Sequence, residues 1–183
     1  MFFNEQGAFS ETCRDLIRSL RGAAIDHVFV GAVAMKSYGC EHAEDKIEFC
    51  VRRPDLDRFR GEFAGYVFDL LPGQLCRYSH PRTQVRIELL TAGDIAGDRL
   101  RQQEIRLPDP SEAELVDGIP VPSLARLVEL KLATWQPPDR QDAIRLIAAN
   151  RLDESFAEQL HTLVRPTYLE CCVTANETGF KRR

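Results

Sequence analysis

Lysine is scarce in this chain. Only Lys36, Lys46, Lys131 and Lys181 stand among its 24 positively charged residues, against 28 acidic ones, and the formal charge is -4. Nucleic acid is therefore not indicated as a partner by charge, because domains that coat it are usually basic. Long apolar runs are missing as well: the longest, Val28 to Met35, is far too short to span a bilayer. No basic start followed by an apolar core is evident, so the expectation is a cytoplasmic protein without a membrane partner. The six cysteines, at positions 13, 40, 50, 76, 171 and 172, include no Cys-x-x-Cys pair. Structural zinc is thus disfavoured, with Cys40-x-His42 and Cys171-Cys172 as poor substitutes. A chain of 183 residues buries enough surface to fold without disulfides, and the cysteines are read as small buried hydrophobes. His27, His80 and His161 have no Ser or Cys pattern nearby that would make a triad.

What is present is a globular mixture, 44% hydrophobic and 28% charged. Phe9, Cys13, Leu16, Ile17 and Leu20 recur at helical spacing and predict a helix over about 9–21, with Ser10 as N-cap. A β-prone run at 26–30 leads into Gly31 and a short helical stretch that stops at Gly39. Over Lys46 to Val51, Ile47, Phe49 and Val51 alternate with Lys46, Glu48 and Cys50, the pattern of a strand with one apolar face. Pro54 opens a helix carrying Leu56, Phe59 and Phe63. Strands follow at 66–70, 75–78 and 84–90, the last with Val85, Ile87 and Leu89 on one face and Arg86 and Glu88 on the other.

From Thr91 to Pro122 little periodicity is visible until the short Ile119-Pro120-Val121 stretch, and an irregular excursion across the sheet is expected. Ser123 then caps a helix with Leu124, Leu127, Val128, Lys131 and Leu132. Pro137-Pro138 breaks it, 139–149 forms another, and Asp153 begins a third. Asp139 and Asp142 are candidate caps, since acidic residues favour a helix start. The fold class expected is α/β (α+β): a small mixed twisted sheet with flanking helices over 1–122, a C-terminal helical segment over 123–172 packed on it, and a flexible tail at 173–183.

The stretches VFVGAVAMKSYG, AEDKIEFCV and VRIELLTAG, in that order, resemble the nucleotidyltransferase fold superfamily. There a glycine turn after the first strand opens a helix, an Asp-x-Asp pair lies on the next strand, and a third carboxylate comes from a later one. IPVPSLARLVELKLA, with its Lys131-Leu132 pair, Asp139-Arg140-Gln141-Asp142, and Val164 to Leu169 extend the resemblance to bacterial minimal nucleotidyltransferases and abortive-infection nucleotidyltransferase toxins. It implies a nucleotide- and phosphate-binding site at Gly31, Ala32, Lys46, Arg86 and Lys131, and catalytic or metal positions at Glu48 and Glu88. In such enzymes two Mg²⁺ ions neutralise the charge that builds on the transferring phosphate.

The centre departs from that pattern. Lys46 falls at the first Asp, Glu48 at the second and Glu88 at the third. Using Asp45 instead would turn the strand over and expose Ile47, Phe49 and Val51, at roughly 1.5–3 kcal/mol per large side chain. An ammonium beside a Mg²⁺ position repels the ion, glutamate reaches further than the octahedral site favours, and Ala32 adds a methyl group where phosphate should approach. The leading expectation is a pseudoenzyme of this fold with a degenerate two-metal site and no cofactor. It would serve as a nucleotide- or anion-binding or regulatory protein, with an NTP or other anion and a protein as candidate partners, in a toxin–antitoxin-like setting. One alternative is a divergent Mg²⁺-dependent transferase moving NMP from NTP to RNA, protein or a small molecule. The other is a structural interaction module, in which Lys46, Glu48, Arg86 and Glu88 are cross-strand ion pairs on a solvated sheet face.

Overall fold

The computed structural model describes residues 7–40, 46–97, 104–134 and 136–177. Its first helix, α1 (Ala8–Gly22), buries Cys13, Leu16, Ile17 and Leu20, as their spacing predicts. Ser10 does not cap it. The helix starts earlier, the Glu11 N–H donates to the Gly7 carbonyl, and Ser10 is buried within the first turns. The chain then forms β1 (Val28–Val30), α2 (Gly31–Ser37), β2 (Lys46–Val51) and α3 (Arg53–Phe63), with Pro54 in the first turn of α3.

Three short strands follow: β3 (Asp69–Leu70), β4 (Arg77–Ser79) and β5 (Arg86–Thr91). The first two are shorter than, or displaced from, the expected runs. Tyr66 and Val67 belong to a turn in which the Val67 and Phe68 amides both donate to the Phe63 carbonyl, and Tyr66 and Leu75 are exposed.

The sheet order is β1-β2-β5-β4-β3. β2 and β5 pair in parallel, and every other neighbour is antiparallel. The observed architecture is a mixed α/β fold. Ile47, Phe49, Val51, Ile87 and Leu89 are all buried. Phe59 of α3 meets Phe49 of β2 and Tyr78 of β4 at ring-centroid distances of 5.6 and 5.3 Å, so α3 closes one side of the sheet with aromatic packing.

The stretch expected to be irregular contains a hairpin, β6 (Glu114–Val116) and β7 (Ile119–Val121). Asp117 and Gly118 turn it with φ values of 51° and 80°, the left-handed pair that a tight two-residue hairpin requires. β7 packs against β1.

Ser123 caps α4 (Leu124–Ala133) as anticipated, its Oγ accepting the Arg126 amide at 3.2 Å. Pro137 and Pro138 do more than break that helix. They form the first turn of α5 (Pro137–Ala149), where no intrahelical N–H is needed. Asp153 caps a 3-10 turn over Glu154–Gln159 instead of starting an α-helix. The last helix is α6 (Arg165–Glu177), which runs past residue 172 with Ala175 buried, so the tail expected from 173 is helical as far as 177. Lys181, Arg182 and Arg183 lie outside the described residues.

All six cysteines are free thiols and all but Cys76 are buried. Burial pushes the Cys13 thiol up to about 12 and the Cys40 thiol to about 11, so both stay protonated hydrophobes at neutral pH. Among the described residues no helix is long and apolar enough to cross a membrane.

Candidate functional site

Strand alternation and register together assemble a charged group on the sheet face opposite Ile47 and Phe49. Lys46 stands opposite Arg86, and Glu48 opposite Glu88, across the parallel β2–β5 pair. On its other side Glu88 faces Arg77 of β4. The Lys46 ammonium donates to Glu48 Oε1 at 2.7 Å and to Glu88 Oε2 at 3.3 Å, bridging both carboxylates. Arg77 Nε donates to Glu88 Oε1 at 3.0 Å. Burial alone would lower the Lys46 pKa. The hydrogen bond and charge of Glu48, and then the charge of Glu88, outweigh it and hold the ammonium above its ordinary value. The expected common face and a cross-strand ion pair, Lys46–Glu88, are present, whereas Arg77 was not singled out by the sequence.

Gly31 ends β1 and opens α2 with a left-handed φ of 57°. A Cβ there would overlap the Glu48 carboxylate, so the absence of a side chain gives Glu48 room to lie against the turn. Ala32, the next residue, is 1% exposed. Gly31→Ala should cost about 1–2 kcal/mol from backbone handedness alone, and more from pushing Glu48 off Lys46. In a Glu48→Ala background only the handedness cost remains. A denaturant-unfolding double-mutant cycle should therefore be non-additive. Additive losses would show that Gly31 and Glu48 do not press on each other.

Lys131 comes from α4 and is nearly enclosed. Its ammonium pairs with Asp139 Oδ1 at 3.0 Å and Asp142 Oδ2 at 2.8 Å. Asp142 Oδ1 also pairs with Arg145 at 3.0 Å, and the Thr134 hydroxyl donates to Asp139 Oδ2 at 2.6 Å. Burial pulls the Lys131 pKa down, but the two aspartates raise it above the ordinary 10.5. Asp139 stands in the first turn of α5, as an acidic residue favouring a helix start should, and both it and Asp142 are partners of Lys131; the N-cap, Gln136, makes no side-chain cap bond.

These two groups line one cleft of about 690 Å³, with Lys46 and Glu48 contributed by the sheet and Lys131, Asp139 and Asp142 by the helices. Apolar side chains, including Val30, Leu90, Leu107, Leu127 and Leu130, make up much of the remaining wall. Pairs of opposite charge on an apolar background can orient a ligand carrying polar groups along one edge.

A resident divalent ion does not fit this arrangement. Such an ion would sit between Glu48 and Glu88, and Lys46 already lies within hydrogen-bond distance of both. Binding would either require the ammonium to leave both carboxylates or place two positive species side by side. Among the described residues, no three His, Cys, Asp or Glu side chains converge as metal ligands. Asp45, the alternative carboxylate considered for the strand, lies outside the described residues, as does His42.

Comparison with protein-family models and with curated proteins returns no match to this chain.

Proposed function

We propose that the chain is a nucleotidyltransferase-like protein in which Lys46 has taken over the place of the metal. It binds an organic anion, in the first instance a nucleotide, without a divalent ion and without transferring the nucleotidyl group. One observation carries this reading: the Lys46 ammonium bridges Glu48 and Glu88 at the margin of the 690 Å³ cleft. An ammonium neutralises carboxylates and donates hydrogen bonds, but it has no coordination sites with which to join phosphate oxygens to a nucleophile. The order strand, glycine turn, helix, strand supports the fold resemblance, and the cleft is of a size that encloses small organic ligands. The role this leaves is binding or regulation.

Calorimetry should show ATP binding in the presence of EDTA and no specific heat with Mg²⁺ alone. Lys46→Asp recreates an i, i+2 carboxylate pair and should gain metal-dependent thermal stabilisation, about 2.7 kcal/mol at a hundredfold excess over Kd. If the wild type transfers label from radioactive NTP and Glu88→Ala abolishes the transfer, the proposal fails and a metal-dependent transferase takes its place.

A further inference from the structure

The last helix, α6, carries apolar residues on two faces. On one, Tyr168, Cys171, Cys172 and Ala175 are buried, and the helix packs against α5 and the Glu154–Gln159 turn. The other faces solvent. There Pro166, Leu169, Val173 and Asn176 are all exposed, and their spacing of three, four and three is that of the a and d positions of a heptad. Leu169 is 40% exposed and Val173 52%, and Leu163, just before the helix, is exposed as well. A helix that packs on one side only carries polar residues on the other. An a/d seam on the free side is instead the surface that a second helix covers.

Charge distinguishes the two ends of this seam. Ahead of its N-terminal end, the 3-10 turn presents Glu154 and Glu158, both exposed. Arg165 holds that turn to the start of α6: its Nε donates to the Leu160 carbonyl at 2.9 Å and its Nη2 to the Glu158 carbonyl at 3.1 Å. Past the C-terminal end, the sequence after Glu177 carries Lys181, Arg182 and Arg183 and no acidic side chain. A surface acidic at one end and basic at the other is complementary to itself after a two-fold rotation.

We infer that this face of α6 is the interface of a two-fold dimer of the chain, with the two copies of the helix antiparallel. In the register that centres the seam, Leu169 lies against Val173 of the second copy and Pro166 against Asn176 of the second copy. The basic end of each seam then meets the acidic end of the other. Glu170 and Glu177 flank the seam on one side and approach their own counterparts; Arg140, paired with Glu170 at 2.8 Å, stands on that flank and offsets the repulsion. Parallel packing would bring like ends together, so charge disfavours it. A helix of 13 residues buries little area, and the dimer is a weak one, with Kd on the order of 10 μM. No residue of α6 lines the 690 Å³ cleft, so the inference stands apart from the reading of that site.

The test is sedimentation velocity of the full chain over a concentration series, with thermal melts to verify folding. The wild type should pass from monomer to dimer, and Leu169→Glu and Val173→Glu should each weaken association about tenfold or more. Glu154→Lys together with Glu158→Lys should weaken it at low ionic strength, and the difference should fade in high salt. Orientation is read by oxidative cross-linking in a Cys76→Ser background, since the other five cysteines are buried. A mixture of Leu169→Cys and Val173→Cys chains should cross-link between copies far more than either variant alone. Val173→Cys chains that cross-link best with themselves mark parallel helices and overturn the inference. A wild type still monomeric about a hundredfold above the expected Kd overturns it too, as does a dimer indifferent to both glutamate substitutions.

Discussion

Lys131→Met is expected to destabilise the protein by about 3 kcal/mol, lowering the melting temperature by about 6–12 °C. The replacement keeps the apolar stem but strands two carboxylates. Asp142 is only 4% exposed at its side chain and Lys131 11%, so little solvent is available to take over from the ammonium. Arg145 still serves Asp142, and Thr134 still serves Asp139, which holds the loss near the lower end for a broken buried pair. Adding Asp139→Asn and Asp142→Asn should return part of the stability, because no uncompensated charge is then left inside. A single variant melting within about 2 °C of the wild type would mean that water reaches this group freely. The pH dependence has a defined sign. Because the folded pKa of Lys131 lies above the ordinary 10.5, its contribution is complete below pH 10.5 and is lost as pH rises from there through the folded value.

Gly97→Ala should cost about 2–5 kcal/mol in urea unfolding, combining a left-handed backbone with an overpacked contact. Gly97 has a φ of 85°, and a Cβ there would meet the Ala133 carbonyl oxygen. It would also lie 2.8 Å from the Ala133 carbonyl carbon and the Thr134 Cα. These are backbone atoms at the end of α4 and cannot swing aside. Gly118→Ala provides the comparison: its φ is 80°, but its Cβ would meet open space, so it carries the conformational cost without the collision. If both variants lose the same stability, the segment at Gly97 does not bear on α4. Since Gly97 and Lys131 both border the cleft, the Gly97 variant should also weaken ligand binding there.

The parts of this structure that could be read in advance are those governed by local periodicity. Ile47, Phe49 and Val51 fixed which way Lys46 and Glu48 point, because exposing three large apolar side chains costs far more than any gain from another register. The same rule on β5 placed Glu88 on the shared face. Arg77 was not foreseen because β4 spans only Arg77 to Ser79, too short for alternation to speak, and its opposition to Glu88 depends on a pairing between separate strands. Asp139 and Asp142 were read locally, as caps. Their link to Lys131 crosses the break between α4 and α5, where helical spacing ceases to predict neighbours. The β6–β7 hairpin did carry a local signal, the Asp117-Gly118 pair between apolar residues, and it was obscured by the weak periodicity around it.

β5 has a place in the sheet that matters for the order in which the molecule can assemble. It lies between β2 and β4, and the chain from Arg52 to Val85, which carries α3, β3 and β4, separates it from β2 in sequence. Closing that long loop is an entropic cost incurred before any contact across β5 repays it. Lys46 to Glu88 and Arg77 to Glu88 both reach onto this one strand. A nascent or partly unfolded chain that has formed β2 without β5 therefore holds Lys46 and Glu48 without the second carboxylate, and the bridged pair does not exist until the middle of the sheet is filled. The charged group on this face is in that sense a property of the completed sheet, and the ion pairs that reach β5 hold its middle strand to both neighbours.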